Sequence, residues 1–108
     1  MGTADKRVYI ITGGSSGVGA ACALQLAAAG HSLVINYNKS EALARQVIDD
    51  CEKLGAQTLL VQADMALEAD CLRLVDQTVE RFGRIDGLVN SAAVTQFVAL
   101  NRLDDLKA

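Results

Sequence analysis

Short, unbroken runs of apolar residues, rich in valine and isoleucine, recur along this chain. The runs lack the alternation of apolar and polar residues that marks a sheet with one face in water. We therefore expect strands that are covered on both faces, as in a parallel sheet. Four runs predict four strands, at residues 8–11, 33–35, 59–61 and 88–89.

Between these runs, apolar residues recur with the period of an α-helix. Residues 40–54 are the clearest case, with Ser40 suited to the N-cap and Gly55 to the position that follows the C-terminus. A second stripe covers residues 67–82. Residues 17–29 are apolar nearly all round, which predicts a helix packed on several sides.

The resulting order is β-α-β-α-β-α-β with short connections. This alternation predicts an α/β fold, a Rossmann-type doubly wound parallel sheet, in which right-handed crossovers place the strands in the order 3-2-1-4. The length of 108 residues indicates one domain, residues 1–108. Residues 94–108 have no clear period, and we interpret them as a loop that leads into a part of the protein beyond this sequence.

The charge balance argues against polyanionic partners. Ten Lys and Arg residues stand against thirteen Asp and Glu residues, a net charge of -3, so we expect neither nucleic-acid nor membrane binding. Cys22, Cys51 and Cys71 have spacings that fit neither a metal site nor a disulfide framework, and we interpret them as core residues. With no export or lipidation signal recognised, we expect a cytoplasmic protein.

A glycine-rich sequence, Thr-Gly-Gly-Ser-Ser-Gly-Val-Gly at residues 12–19, joins the first predicted strand to the first helix. Glycines at such a junction allow a tight turn and let a pyrophosphate approach backbone N–H groups at the helix N-terminus. The glycine spacing also fits a Walker A loop, but Ala20 and Ala21 stand where that loop needs Lys and Ser or Thr. We therefore do not expect hydrolysis of nucleoside triphosphates.

Two further residues complete a pattern with this loop: Asp64, two residues beyond the third strand, and Asn90, at the end of the fourth. Together the three motifs resemble the short-chain dehydrogenase/reductase family over the whole chain. The resemblance implies an oxidoreductase that transfers a hydride between NAD(P) and a carbonyl or alcohol substrate. It also implies a set of cofactor-binding residues: Thr12, Gly13, Ser15, Ser16, Gly17, Val18, Gly19, Asp64, Met65, Asn90, Ser91, Ala92 and Ala93.

Within this set the resemblance implies particular roles. Asp64 would accept a hydrogen bond from the adenine amino group, Met65 would offer a main-chain contact, and Ala92 would lie against the adenosine ribose. Asn90 would steady the fourth strand. One departure is Ala93, where the family usually has a glycine with greater backbone freedom.

The family's catalytic Ser and Tyr-x-x-x-Lys have no counterpart in the chain. Neither Tyr9 nor Tyr37 is followed four residues later by Lys, so we expect no catalytic residue here. We interpret residues 1–108 as the cofactor-binding half of a longer protein, inactive alone, whose full length is a homodimer or homotetramer. Tyr9 is interpreted as a buried strand residue and His31 as a surface residue.

The end of the second strand bears on the choice of dinucleotide. In dinucleotide-binding folds an acidic residue there bonds the ribose 2′-hydroxyl of NAD. This chain has instead three neutral residues and one cation, namely Asn36, Tyr37, Asn38 and Lys39. Because such residues suit a 2′-phosphate, we expect NADP(H) to be favoured over NAD(H).

Two alternatives to an oxidoreductase stay open. One is a module that binds a dinucleotide without catalysing a reaction. The other is an S-adenosylmethionine-dependent methyltransferase, which also has a glycine-rich first turn. It is disfavoured because Asn36, not an acidic residue, ends the second strand, and because the glycine spacing fits a dehydrogenase better. We expect no metal site.

Overall fold

The computed structural model describes residues 6–15 and 17–90 of the chain. Its strands and helices alternate, and every pair of neighbouring strands is parallel, in the order β3-β2-β1-β4. The Rossmann-type topology predicted from the sequence is therefore confirmed. The elements are β1 (Val8–Thr12), α1 (Gly17–Ala28), β2 (Ser32–Tyr37), α2 (Glu41–Lys53), β3 (Thr58–Gln62), α3 (Glu68–Phe82) and β4 (Gly87–Asn90).

The core consists of two layers, one on each face of the sheet. Successive side chains of a strand point to opposite faces, and this separates Ile10 from Ile11 on β1. Ile11 belongs to the cluster that includes buried residues of α1 and α2, whereas Ile10 belongs to the cluster with Leu74 of α3. Helices thus cover both faces of the two central strands.

The outer strands β3 and β4 are less buried than the central strands β1 and β2. β4 alternates between half-buried and exposed positions, and Leu88 is 62 % exposed. Within the described part of the chain β4 pairs with β1 alone, so one of its edges has no neighbouring strand. Within the described residues, β4 is therefore less covered than the central strands.

The ends of α2 lie where the sequence predicts them, but the capping hydrogen bond expected from Ser40 is not made. α2 ends just before Leu54 and Gly55, and Gly55 has the left-handed φ of +95° expected after a helix C-terminus. Ser40 is at the N-cap of α2 but makes no capping hydrogen bond through its side chain. Its backbone (φ −96°, ψ 63°) departs from the extended conformation in which a cap hydroxyl reaches the first turn.

Helix α1 packs against the sheet and against α2. Its buried residues are all small: Gly19, Ala23 and Ala27. Val18 is 55 % exposed, so the predicted packing on several sides is only partly formed by the described residues. The small side chains on the buried face let the backbone of α1 approach the sheet closely.

The cysteines differ in their surroundings. Cys51 is completely buried on α2, whereas Cys22 and Cys71 are half-buried. Burial, assisted by the neighbouring carboxylates of Asp50 and Glu52, raises the pKa of the Cys51 thiol to about 11. Cys51 therefore fits the core interpretation fully, and the other two fit it in part.

Tyr9 and His31 meet at the end of the sheet where β1 begins. Both are half-buried, with ring centroids 5.2 Å apart in an edge-on arrangement. Nδ1 of His31 accepts a hydrogen bond from the backbone N–H of Arg7 at 3.1 Å. Tyr9 is thus less buried, and His31 more tightly held, than the sequence suggests.

Candidate functional site

The carboxyl ends of the parallel strands meet at one edge of the sheet, and most of the predicted site residues lie there. At this edge the hydroxyl of Thr12 donates a hydrogen bond to Oδ1 of Asn90 at 3.0 Å. A longer contact of 3.4 Å joins the same hydroxyl to the carbonyl of Val89. The end of β4 is thereby connected to the start of the glycine-rich loop.

The glycine-rich loop leads into α1 through Gly17, whose φ of +61° lies in the left-handed region. A Cβ atom built on Gly17 would have no heavy atom within 4 Å, so the space beside its backbone is open. The first N–H groups of a helix lack acceptors within the helix and carry the positive end of its dipole. Because the first turn of α1 has no acidic residue, this opening suits an anion.

Gly14 holds the loop against the sheet. A Cβ atom at Gly14 would lie 3.2 Å from Cγ2 of Ile11 and 3.2 Å from Cγ2 of Ile35. The backbone of the loop therefore lies directly on the side chains at the ends of β1 and β2. Gly14 was not among the predicted site residues, although its place in a pair of adjacent glycines is the signal that could have identified it.

Asn36 is almost completely buried, at 2 % exposure, although it was predicted to lie beside a ribose. Its Oδ1 accepts a hydrogen bond from the N–H of Gly13 at 3.3 Å, and its backbone carbonyl accepts one from Gly14 at 3.2 Å. Its Nδ2 donates to the carbonyl of Ala63 at 3.0 Å and lies 3.4 Å from the carbonyl of Val61. The Asn36 side chain therefore bridges the glycine-rich loop and the end of β3.

The residues after Asn36 are more accessible. Tyr37 is half-buried, and Asn38 and Lys39 are exposed. The carbonyl of Asn38 accepts a hydrogen bond from Nε2 of Gln62 at 3.1 Å. Lys39 makes no ion pair within the described residues, so its ammonium group is available to an anion at this edge.

Asp64 begins the turn between β3 and α3. Its Oδ1 accepts a hydrogen bond from the N–H of Ala66 at 2.9 Å, and its own N–H donates to Oδ2 of Asp70 at 2.8 Å. Asp70 also lies 3.5 Å from Arg73. These contacts fix the backbone of the turn and hold the Asp64 carboxylate at the same edge of the sheet as the glycine-rich loop.

An apolar cavity of about 310 Å³ adjoins this edge on the face covered by α3. Three predicted site residues, Thr12, Met65 and Asn90, contribute to its lining. The remaining walls are mostly aliphatic and include Ile10, Leu74 and Leu88. The fold thus brings residues at or just beyond the ends of β1, β3 and β4 around one cavity.

Four of the predicted site residues, Ser16, Ser91, Ala92 and Ala93, lie outside the described residues, so their roles stay predictions. Residues 6–15 and 17–90 include no group of three His, Cys, Asp or Glu side chains placed to hold a metal ion. No helix among them has the length and apolar character needed to span a membrane.

Comparison with known proteins agrees with this geometry. Residues 7–107 match the family model described as short chain dehydrogenase. The Bacillus subtilis short-chain dehydrogenase/reductase homolog YusS is 31% identical over 103 residues, which cover 95% of this chain and 92% of YusS. A 3-oxoacyl-[acyl-carrier-protein] reductase of a Synechocystis species is 38% identical over 103 residues, which cover 95% of this chain but 42% of the relative.

Solved structures of other proteins are similar to this chain in both fold and sequence. The crystal structure of a hydroxysteroid dehydrogenase from Escherichia coli superposes with a TM-score of 0.73 and 32% sequence identity, covering 78% of this chain and 35% of that one. This chain therefore spans less than half of the Synechocystis reductase and of the hydroxysteroid dehydrogenase, but nearly all of YusS. From the family match over residues 7–107 and from the fold, the chain belongs to the short-chain dehydrogenase/reductase family of oxidoreductases.

Proposed function

We propose that this chain binds a nicotinamide dinucleotide, NADP(H) in preference to NAD(H), as the cofactor-binding part of an oxidoreductase. The observation that carries the proposal is the open space beside Gly17 at the N-terminus of α1. An exposed residue with left-handed φ at a helix N-terminus, with open space beyond its chain neighbours, fits a pyrophosphate. Membership of the short-chain dehydrogenase/reductase family supports the same ligand.

The adenosine end of the cofactor would lie between the glycine-rich loop and the turn that contains Asp64. The carboxylate of Asp64 would accept a hydrogen bond from the adenine amino group, and Met65 would contribute a main-chain contact. The aliphatic cavity next to Met65 and Thr12 supports this placement, because a flat, weakly polar base is suited to an apolar wall.

The preference for NADP(H) rests on Asn38 and Lys39. Both are exposed at the carboxyl end of β2, and Lys39 has no ion-pair partner among the described residues. A 2′-phosphate at this position would gain a charge-assisted contact with Lys39. No carboxylate lies between residues 36 and 40 to repel it.

When bound, the nicotinamide exchanges a hydride with the carbon of a carbonyl or alcohol substrate. Among the described residues, neither tyrosine is followed four residues later by the lysine of a Tyr-x-x-x-Lys pair. Tyr9 pairs with Gly87 at the start of β4, away from the carboxyl edge, and Tyr37 is followed four residues later by Glu41 instead of a lysine. We propose that residues 1–108 bind the cofactor without turnover, and that catalysis needs residues beyond them.

The assembled protein, in this proposal, is a cytoplasmic homodimer or homotetramer that acts on a small carbonyl or alcohol compound. Equilibrium titration of the purified protein with NADPH and NADH, followed by cofactor fluorescence, tests the cofactor proposal. We expect both to bind, NADPH about tenfold more tightly, a difference of about 1.4 kcal/mol. Tighter binding of NADH would overturn the preference. Binding of S-adenosylmethionine with no binding of either dinucleotide would favour a methyltransferase instead.

A further inference from the structure

We propose that Asn36 is a positioning residue, which holds the two halves of the cofactor site together and so sets the affinity for NADP(H) and NAD(H) alike. It does this without touching the 2′-phosphate that distinguishes the two cofactors. The inference rests on the proposed dinucleotide binding. It concerns a residue whose place at the end of β2 would otherwise assign it to direct contact with the ribose.

The first step is that the Asn36 side chain is fully occupied. At 2 % exposure, its Oδ1 accepts from the N–H of Gly13, while Nδ2 has the carbonyls of Ala63 and Val61 as acceptors. No buried polar side-chain atom among the described residues lacks a partner. A ligand could engage this amide only by displacing contacts that the fold already makes.

The second step is the location of those contacts. Gly13 belongs to the loop that leads to the opening at Gly17, and Ala63 directly precedes Asp64. One amide group therefore connects the loop proposed to bind the pyrophosphate to the turn proposed to bind the adenine, beside backbone hydrogen bonds from Gly14 and Ala63 to the end of β2. Both NADP(H) and NAD(H) contain these two groups, so a change at Asn36 should affect both cofactors by a similar factor.

The third step concerns aspartate at this position. Its carboxylate could still accept from Gly13, but it has no N–H to donate to Ala63 or Val61, whose carbonyl oxygens would face it. A buried charge beside two acceptors is unfavourable. Asn36→Asp should therefore separate the loop from β3, an effect different from simple repulsion of a 2′-phosphate.

The experiment compares Asn36→Asp and Asn36→Leu with Asn38→Asp, a matched change at an exposed neighbour. Dissociation constants for NADPH and NADH are measured for the intact protein at a temperature where circular dichroism finds each variant folded. We expect both Asn36 variants to weaken the binding of both cofactors by about tenfold or more, because the glycine-rich loop and the turn at Asp64 lose a buried hydrogen-bonded connection. The ratio of the two constants should stay within about twofold of the original, whereas Asn38→Asp should weaken NADPH selectively.

Two results would overturn the inference. A loss of NADPH affinity with unchanged NADH affinity in Asn36→Asp would show direct contact with the 2′-phosphate. Unchanged affinities with only a lower melting temperature would show a role in stability alone. Failure of the unsubstituted protein to bind either cofactor would instead overturn the proposed function, and this inference with it.

If both Asn36 variants fail to fold, the unsubstituted protein supplies the test. The side-chain amide protons of Asn36 should exchange slowly with solvent and should shift equally in NMR spectra on saturation with NADP⁺ or with NAD⁺. A shift with NADP⁺ alone would contradict the positioning role.

Discussion

The aromatic ring of Tyr9 lies directly against the backbone of Gly87, its register partner on the neighbouring strand. A Cβ atom on Gly87 would come within 2.7 Å of both Cδ1 and Cε1 of the ring. The first position of β4 thus accommodates the tyrosine because it has no side chain. The same ring also makes the edge-on contact with His31.

Gly87→Ala should therefore destabilise the protein by about 1–3 kcal/mol, the usual cost of forcing a methyl group into a packed site. Urea denaturation followed by circular dichroism measures the change. A double-mutant cycle with Tyr9→Leu supplies the control. Gly87→Ala should lower the free energy of unfolding clearly less in the Tyr9→Leu protein, which lacks the ring, than in the unsubstituted protein. Equal costs in both backgrounds would contradict the contact.

Gly17→Val should reduce NADPH affinity by about a hundredfold or more, a loss of about 3 kcal/mol, because its branched side chain fills the opening at the start of α1. Left-handed backbone also strains a valine by roughly 1–2 kcal/mol. Gly55→Val is the matched control, since Gly55 likewise has positive φ and open space around it but lies at the far end of α2. Fluorescence titration should find cofactor binding kept in the Gly55 variant. Equal losses in both variants would point to strain alone.

Lys39→Gln should weaken the binding of NADPH by roughly threefold to tenfold, because one partly solvated charge contact is worth about 1 kcal/mol. The affinity for NADH should stay nearly unchanged. Lys53→Gln removes an exposed lysine at the end of α2 and should change neither affinity. Added salt should reduce the difference in NADPH affinity between the unsubstituted protein and the Lys39 variant. An unchanged NADPH affinity in Lys39→Gln would remove Lys39 from the proposed 2′-phosphate site.

Asp86 should make the free energy of unfolding depend on pH in the acidic range. Hydrogen bonds from the Arg84 guanidinium and from the N–H of Val8 hold the pKa of its carboxyl below the usual range. The contribution of the Asp86 carboxylate to the free energy of unfolding is therefore complete above the unfolded-state pKa of about 3.9. It disappears as the pH falls through the lower pKa of the folded state. The stability difference between the unsubstituted protein and Asp86→Asn should be constant above about pH 5 and shrink below about pH 4.

Arg84→Met tests the cause of that dependence. The hydrogen bond from Arg84 is the largest influence on the Asp86 carboxyl, so its loss should move the acid transition towards the ordinary pKa of an aspartate. Urea denaturation at a series of pH values measures both variants. A transition at the same pH with and without Arg84 would assign the effect to the Val8 N–H instead.

Local sequence patterns were enough to predict the topology. The alternation of apolar runs with helical segments identified the strands, and right-handed crossovers in a Rossmann-type sheet predicted the order 3-2-1-4. The glycine-rich loop and Asp64 could be placed at the carboxyl edge because parallel strands end on the same side. These predictions depend on residues close together in the sequence.

The details that sequence analysis missed depend on distant residues. The bond from Asn36 to Ala63 joins the ends of two strands, and nothing near Asn36 in the sequence shows that its amide turns inward. The exposure of Leu88 on β4 depends on which strands and helices neighbour it. Ser40 makes no capping hydrogen bond because of its backbone dihedral angles. The residue type predicts that a cap is possible, but it does not determine these angles.

The central position of β1 has a consequence for synthesis on the ribosome. β1 pairs with β2 on one side and with β4 on the other, yet β4 is the last of the four strands to be made. The roughly 50 residues between the ends of β2 and β4, added at about 5–20 residues per second, take on the order of 3–10 s. During that interval β1 is an open edge of the nascent sheet, so the strand that ends in the glycine-rich loop gains its second neighbour last.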